Sequence, residues 1–168
     1  MYLTNFKTKT YSFVQYNSSN KEHEKLFESI TSDELSESFF KNWKNLFNDN
    51  DNNVINALVV EKKEKAIGIT TLVQQSDNDY ILSYIVAPQY RGNNYSSQII
   101  TELLNYLFEN DDIDDIVSYI DKNNKSSISS MLKTNPDKIL SDSNDNNMLK
   151  IVYLNKKRET KVNNRKNK

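Results

Sequence analysis

The segment Gln89-Tyr90-Arg91-Gly92-Asn93-Asn94-Tyr95-Ser96 concentrates residue types that can bind an anion. The 168-residue chain has only two glycines and two prolines, and Gly92 and Pro88 both fall at this point. An apolar run, Asp79 to Val86, precedes the segment and a helical pattern follows it. A loop entering a helix N-terminus presents unpaired N–H groups and partial positive charge, which suits a phosphate. Gly92 lets the backbone approach an anion without a Cβ in the way. Asn94 tolerates positive φ, and Arg91 adds a permanent charge. Arg91 to Ser96 can therefore form a nest of N–H groups around a pyrophosphate, with Ser96 or Ser97 placed to cap the helix. An ordinary strand–helix turn would use a glycine too, so the spacing alone leaves both readings open.

The elements that would hold this loop follow from periodicity. Tyr11 to Tyr16 alternates as a short strand, and Lys21 to Ile30 reads as a short helix. Leu35, Phe39, Phe40, Trp43, Leu46 and Phe47 recur at helical spacing and predict an amphipathic helix. VINALVVEK, AIGITTLVQQ and DYILSYIV then predict three antiparallel strands, separated by EKKEK and SDND. After the loop, Ile99, Ile100, Leu103, Leu104, Leu107 and Phe108 form one apolar helical stripe. Asp115 to Ile120 follows as a strand that a crossover helix should place parallel to DYILSYIV. A short helix over Ser126 to Lys133 and two last strands, DKIL and MLKIVYL, complete the order β-α-α-β-β-β-α-β-α-β-β. The fold class is α/β (α+β): a mixed, mostly antiparallel sheet of six or seven strands with about four helices.

Composition narrows the function classes. The chain has no cysteine and one histidine, His23, which excludes thiolate and clustered-histidine metal sites and a cysteine nucleophile, so no metal is expected. No apolar run approaches the roughly 18 residues of a membrane span, and the N-terminus carries no secretory pattern. The expectation is a cytoplasmic protein with no membrane partner. Residues 156–168 carry seven Lys/Arg and one Glu, against a net charge of −1 for the whole chain. They read as a basic, disordered tail on a single domain over residues 1–155, with a body charge near −7 and nucleic acid not expected as a partner.

The stretch from Val86 to Ile100 resembles motif A of the GCN5-related N-acetyltransferases (GNAT), whose core is Q/R-x-x-G-x-G/A; Gln89 to Asn94 match it. Asn124-Lys125-Ser126-Ser127-Ile128 resembles the same family's N-x-x-S/A segment after its fifth strand, and the element order is similar over about residues 10–155. The N-x-x-S form, with LLNYLF in the preceding helix, resembles the ribosomal-protein N-terminal acetyltransferase branch. Two positions depart from the pattern. Asn94 stands at the second loop glycine, and Leu132-Lys133-Thr134 replaces the usual Leu-Gly-Phe.

The resemblance implies a GNAT fold in which acetyl-CoA, the cosubstrate, lies between splayed fourth and fifth strands, here DYILSYIV and DIVSYI. Ile85 and Val86 would pair with the pantetheine arm and thioester. Arg91, Gly92, Asn93, Asn94, Tyr95 and Ser96 would cradle the pyrophosphate, and Asn124 would contact the pantetheine arm. An amine acceptor, a protein N-terminus, a polyamine or another small amine, would attack the thioester directly. The family's usual tyrosine proton donor is Met131 here, so Ser127 is the candidate donor to the CoA sulfur. Asp79, Glu61 and Tyr84 are candidate bases; each also reads as a surface group, and His23 as an exposed bystander. A homodimer is compatible with this scheme. The alternative is a GNAT-fold module that binds acyl-CoA with weak or no turnover.

Overall fold

The computed structural model describes residues 3–33, 55–75, 79–110 and 113–156. The expected amphipathic helix at Leu35 to Phe47 and nearly all of the basic tail lie outside these residues. The described elements are β1 (Phe6–Lys7), β2 (Ser12–Gln15), α1 (Lys21–Thr31), β3 (Ile55–Lys62), β4 (Lys65–Gln74) and β5 (Asp79–Val86). They continue with α2 (Tyr95–Asn110), β6 (Asp115–Asp121), α3 (Lys125–Leu132), β7 (Lys138–Ser141) and β8 (Met148–Leu154). One sheet contains all eight strands in the order β1-β2-β3-β4-β5-β6-β8-β7. The element order read from the sequence, with seven strands, lacks β1, which is only two residues long. Phe6 earns its place in the sheet by stacking on Phe13, 4.7 Å between ring centroids, and on Tyr106 at 3.8 Å.

The β3–β4 hairpin turns through Lys63 and Glu64, both at positive φ (50° and 63°). That is the twist a two-residue hairpin turn requires, made here without glycine. The alternation of β3 then divides the core. Leu58 and Val60 join Ile99, Ile100, Leu103 and Leu107 of α2 on one face; Val59 joins Leu26 and Ile30 of α1 on the other. Ile100, Leu103 and Leu107 have no exposed surface, and burial of each contributes about 1.5–3 kcal/mol. Asn20 caps α1 by accepting the Glu22 N–H at 2.9 Å, with Glu22 and Glu24 placed favourably in the first turn.

All neighbouring strands pair antiparallel except β5 and β6, which run parallel as their crossover helix requires. Their ladder is short. It joins Asp79–Asp115, Tyr80–Ile116 and Ile81–Val117, and then stops. The Ser118 hydroxyl donates to the Leu82 carbonyl at 2.8 Å, just beyond the last pair. From Ser83 to Val86, β5 keeps β4 on one side and has no strand partner on the other. The splay expected between these two strands is therefore present.

Gly68, opposite Val86 in the β4–β5 ladder, is the tightest point of this region. A Cβ there would lie 2.4 Å from the Ile85 carbonyl oxygen, a backbone atom with no rotamer to yield. A Gly68→Ala variant should lose about 1–3 kcal/mol of unfolding free energy or more, read by urea denaturation. A midpoint equal to the parent's would show that β5 can shift at this register.

Candidate functional site

Tyr84 and Val86 are the β5 residues whose backbone groups face the splay. The Leu82 carbonyl meets Ser118 on the β6 side, and the Ala87 N–H donates to the Ile67 carbonyl on the β4 side. Backbone direction alternates along a strand, so Tyr84 and Val86 look toward β6 and Ile85 looks toward β4. The Ile85 carbonyl lies against Gly68. Ile85, named from the sequence beside Val86, thus turns its backbone away from the cleft, whereas the Tyr84 backbone faces it.

A single turn of 3₁₀ helix, Pro88–Tyr90, carries the chain from β5 into the loop. Gly92 has φ +79° and Asn94 φ 58°, so both loop positions adopt the left-handed conformation for which their residue types are suited. The space where a Gly92 Cβ would stand is open to 4 Å. The Gln98 N–H makes the first helical bond, to the Asn94 carbonyl. Among the described residues, the N–H groups of Gly92, Asn93, Asn94, Tyr95, Ser96 and Ser97 meet no acceptor. Neither serine caps them: the Ser97 hydroxyl donates to the Asn94 carbonyl at 3.0 Å. Six acceptor-free amides thus lead into and open α2, where the helix N-terminus favours an anion.

Arg91 does not join them. Its N–H donates to the Pro88 carbonyl, its Nε to the Val86 carbonyl at 3.1 Å, and its Nη2 to Asp33 Oδ2 at 2.7 Å. The guanidinium ties the end of β5 to Asp33, two residues beyond the end of α1. Lys133 brings a positive charge instead. Its Nζ donates to Asn94 Oδ1 at 2.6 Å, and it meets no carboxylate among the described residues. Lys62 holds its ammonium 4.5 Å above the Tyr95 ring, beside the first turn of α2. A hollow of about 270 Å³ lined by Ser97, Gln98, Thr101, Glu102 and Lys133 flanks the same turn. Lys133 was visible in the sequence only as a departure from a motif; its contact is tertiary.

The far side of the splay is built by α3. Asn124 caps it, Oδ1 accepting the Ser127 N–H at 3.0 Å. That leaves the Asn124 Nδ2 group for a ligand. The Ser127 hydroxyl accepts from the Tyr84 hydroxyl at 3.3 Å, across the gap from β5. Burial pushes the Tyr84 phenol above its usual pKa, with hydrogen bonds to Ser127 and Ser130 pulling the other way. Met131 is buried and accepts from the Tyr153 hydroxyl at 3.2 Å, a core role.

His23 is not the exposed bystander read from the sequence. It is 2% exposed, with Nδ1 accepting the Asn17 N–H at 3.1 Å and Nε2 2.9 Å from Glu61 Oε1. These partners assign the ring proton to Nε2 and occupy both nitrogens. Glu61, one candidate base, is engaged by this contact. Tyr84, another, is held protonated at neutral pH.

Residues 3–134 match a family model described as an acetyltransferase (GNAT) domain. A GNAT-family acetyltransferase from Bacillus anthracis superposes with a TM-score of 0.69 at 15% identity, covering 90% of this chain and 99% of that one. Campylobacter jejuni N-acetyltransferase PseH, in complex with acetyl coenzyme A, gives 0.60 at 15% identity over 86% and 98%. A spermidine N-acetyltransferase SpeG chimera from Vibrio cholerae and hSSAT gives 0.63 at 15% identity over 89% and 98%. No curated protein matches the sequence. These likenesses do not single out the ribosomal-protein branch. Among the described residues, no helix is long and apolar enough to cross a membrane.

The backbone of Asn94 gives a direct check on the loop. An Asn94→Val variant should lose about 1–2 kcal/mol of stability, because a branched side chain resists φ 58°. Asn94→Gly should lose less than half as much in the same denaturation assay. Equal losses would place the cost in the Lys133 contact rather than in the backbone.

Proposed function

Because the chain belongs to the GCN5-related N-acetyltransferase (GNAT) family, we propose that it transfers the acetyl group of acetyl-CoA to a primary amine. The observation that carries this reading is the set of six acceptor-free amides from Gly92 to Ser97, beside strands that part after Ile81 and Val117. The space at Gly92 is open to an approaching diphosphate, and Lys133 and Lys62 add positive charge nearby. The Tyr84 and Val86 backbones and the Asn124 amide would hold the pantetheine arm. Acetyl-CoA supplies a thioester, and the amine attacks its carbonyl carbon directly in a ternary complex. Holding both reactants in one cleft can supply about 7–11 kcal/mol of the barrier. Ser127, in the first turn of α3, would donate a hydrogen bond to the departing sulfur.

The acceptor best supported is an α-amine, such as a protein N-terminus. An α-amino group of pKa about 7.7–8.0 is roughly a tenth neutral at pH 7, whereas a lysine-like amine near 10.4 is almost wholly protonated. Glu61 is engaged by His23 and the Tyr84 phenol stays protonated, so two of the three candidate bases are poorly suited to deprotonating a polyamine. The acidic body of the chain and the spermidine acetyltransferase neighbour favour the polyamine, and the assay must include both.

Calorimetry with acetyl-CoA is expected to give one equivalent at micromolar affinity, and Gly92→Glu, which puts a carboxylate among the amides, is expected to abolish binding. Release of free CoA should then require an amine, and a peptide with a free N-terminus should outpace spermidine at pH 7. Binding without release in the presence of either amine would favour the acyl-CoA-binding module.

A further inference from the structure

The proposed reaction expels a thiolate, and the chain has no tyrosine at the α3 position where the family resemblance would put one; Met131 occupies it. Ser127 is there, but a serine hydroxyl is a weak acid and needs support to stabilise a developing negative charge. Tyr84 provides such support from the opposite wall. It sits in the unpaired part of β5, past the last β5–β6 pair, and its hydroxyl donates to Ser127 Oγ at 3.3 Å. The Ser127 proton is then free to point at a third group. Tyr153, the other tyrosine near α3, is enclosed between Thr134 Oγ1 at 2.6 Å and the Met131 sulfur at 3.2 Å, and belongs to the core.

We propose that Tyr84 and Ser127 form a two-hydroxyl chain, strand to helix, that hydrogen-bonds the CoA sulfur as it leaves. The proposal rests on the acetyl-CoA reading above. As the amine nitrogen bonds to the carbonyl carbon, the C–S bond breaks and its electron pair passes to sulfur. The Ser127 O–H donates to that sulfur, and the Tyr84 O–H donates to Ser127, which sharpens the serine as a donor. The nitrogen loses its proton to water, the thiolate takes one from water, and both hydroxyls end unchanged. A phenol with a raised pKa suits this role because it remains a donor throughout the neutral range. The Tyr84–Ser127 hydrogen bond is already in place, and a donor fixed in advance needs no reorganisation as the charge develops.

The test does not require the acceptor. Free CoA is bound to the protein, and its thiolate is followed by ultraviolet absorbance between about pH 6 and pH 10. A free thiol titrates near 8.5. In the wild-type protein the bound thiol should titrate about one pH unit lower than in Ser127→Ala, the scale of a hydrogen bond to a charged group. Tyr84→Phe, which removes only the support behind Ser127, should move it the same way by less. Calorimetry with CoA and a denaturation curve for each protein report a loss of affinity or of fold separately from the titration. Equal titration in all three proteins overturns the chain while leaving the acetyl-CoA reading intact. Failure of the wild type to bind CoA overturns both.

Discussion

The early end of the β5–β6 ladder is the constraint on which the rest of the site depends. Three residue pairs join β5 and β6, the only parallel pair among the described strands, and Ser118 closes the last contact by reaching to the Leu82 carbonyl. Everything beyond Leu82 on that side of β5 must find another partner or face a gap. Val86 gives its carbonyl to Arg91, and the Tyr84 ring spans to α3. The parting follows from topology. A crossover through α2 brings β6 back parallel to β5, and α2 and α3 both pack over the face on which the gap opens.

Charge around the gap is arranged differently from what residue types alone suggest. The conspicuous arginine of the loop acts as a brace, binding Val86 and Asp33. The positive field comes from unpaired amides at the start of α2, from Lys133 arriving off the end of α3, and from Lys62 held over Tyr95. Backbone amides fixed by Gly92 and Asn94 cannot swing away as side chains can, so the site is preorganised for an anion. The Lys133–Asn94 contact links α3 to the loop, as the Tyr84–Ser127 contact links it to β5.

Local patterns made most of the fold legible. Alternation located β2 through β8 to within two residues, the apolar stripe located α2, and the crossover rule gave the parallel pair. Two residues carry no period, so β1 escaped; its anchor is Phe6 stacking between Phe13 and Tyr106, a tertiary fact. The loop conformation was legible because Gly92 and Asn94 are the residue types that positive φ favours. Side-chain direction was not. His23 reads as surface on a charged helix, yet pairing with Glu61 thirty-eight positions away makes burial tolerable. Gly68 reads as an ordinary strand residue until the Ile85 carbonyl is seen against it. Arg91, Ile85 and Lys133 likewise depend on contacts that no local window contains.

The central claim is that the amides from Gly92 to Ser97 are the anion-binding elements of the site. The most direct measurement is residue-resolved amide exchange of ¹⁵N-labelled protein, with and without acetyl-CoA. Ligand should slow exchange at Gly92, Asn93, Asn94, Tyr95, Ser96 and Ser97 together, and leave Arg91, whose N–H already has the Pro88 carbonyl, little changed. Saturating ligand with no added protection across these six amides would contradict the claim.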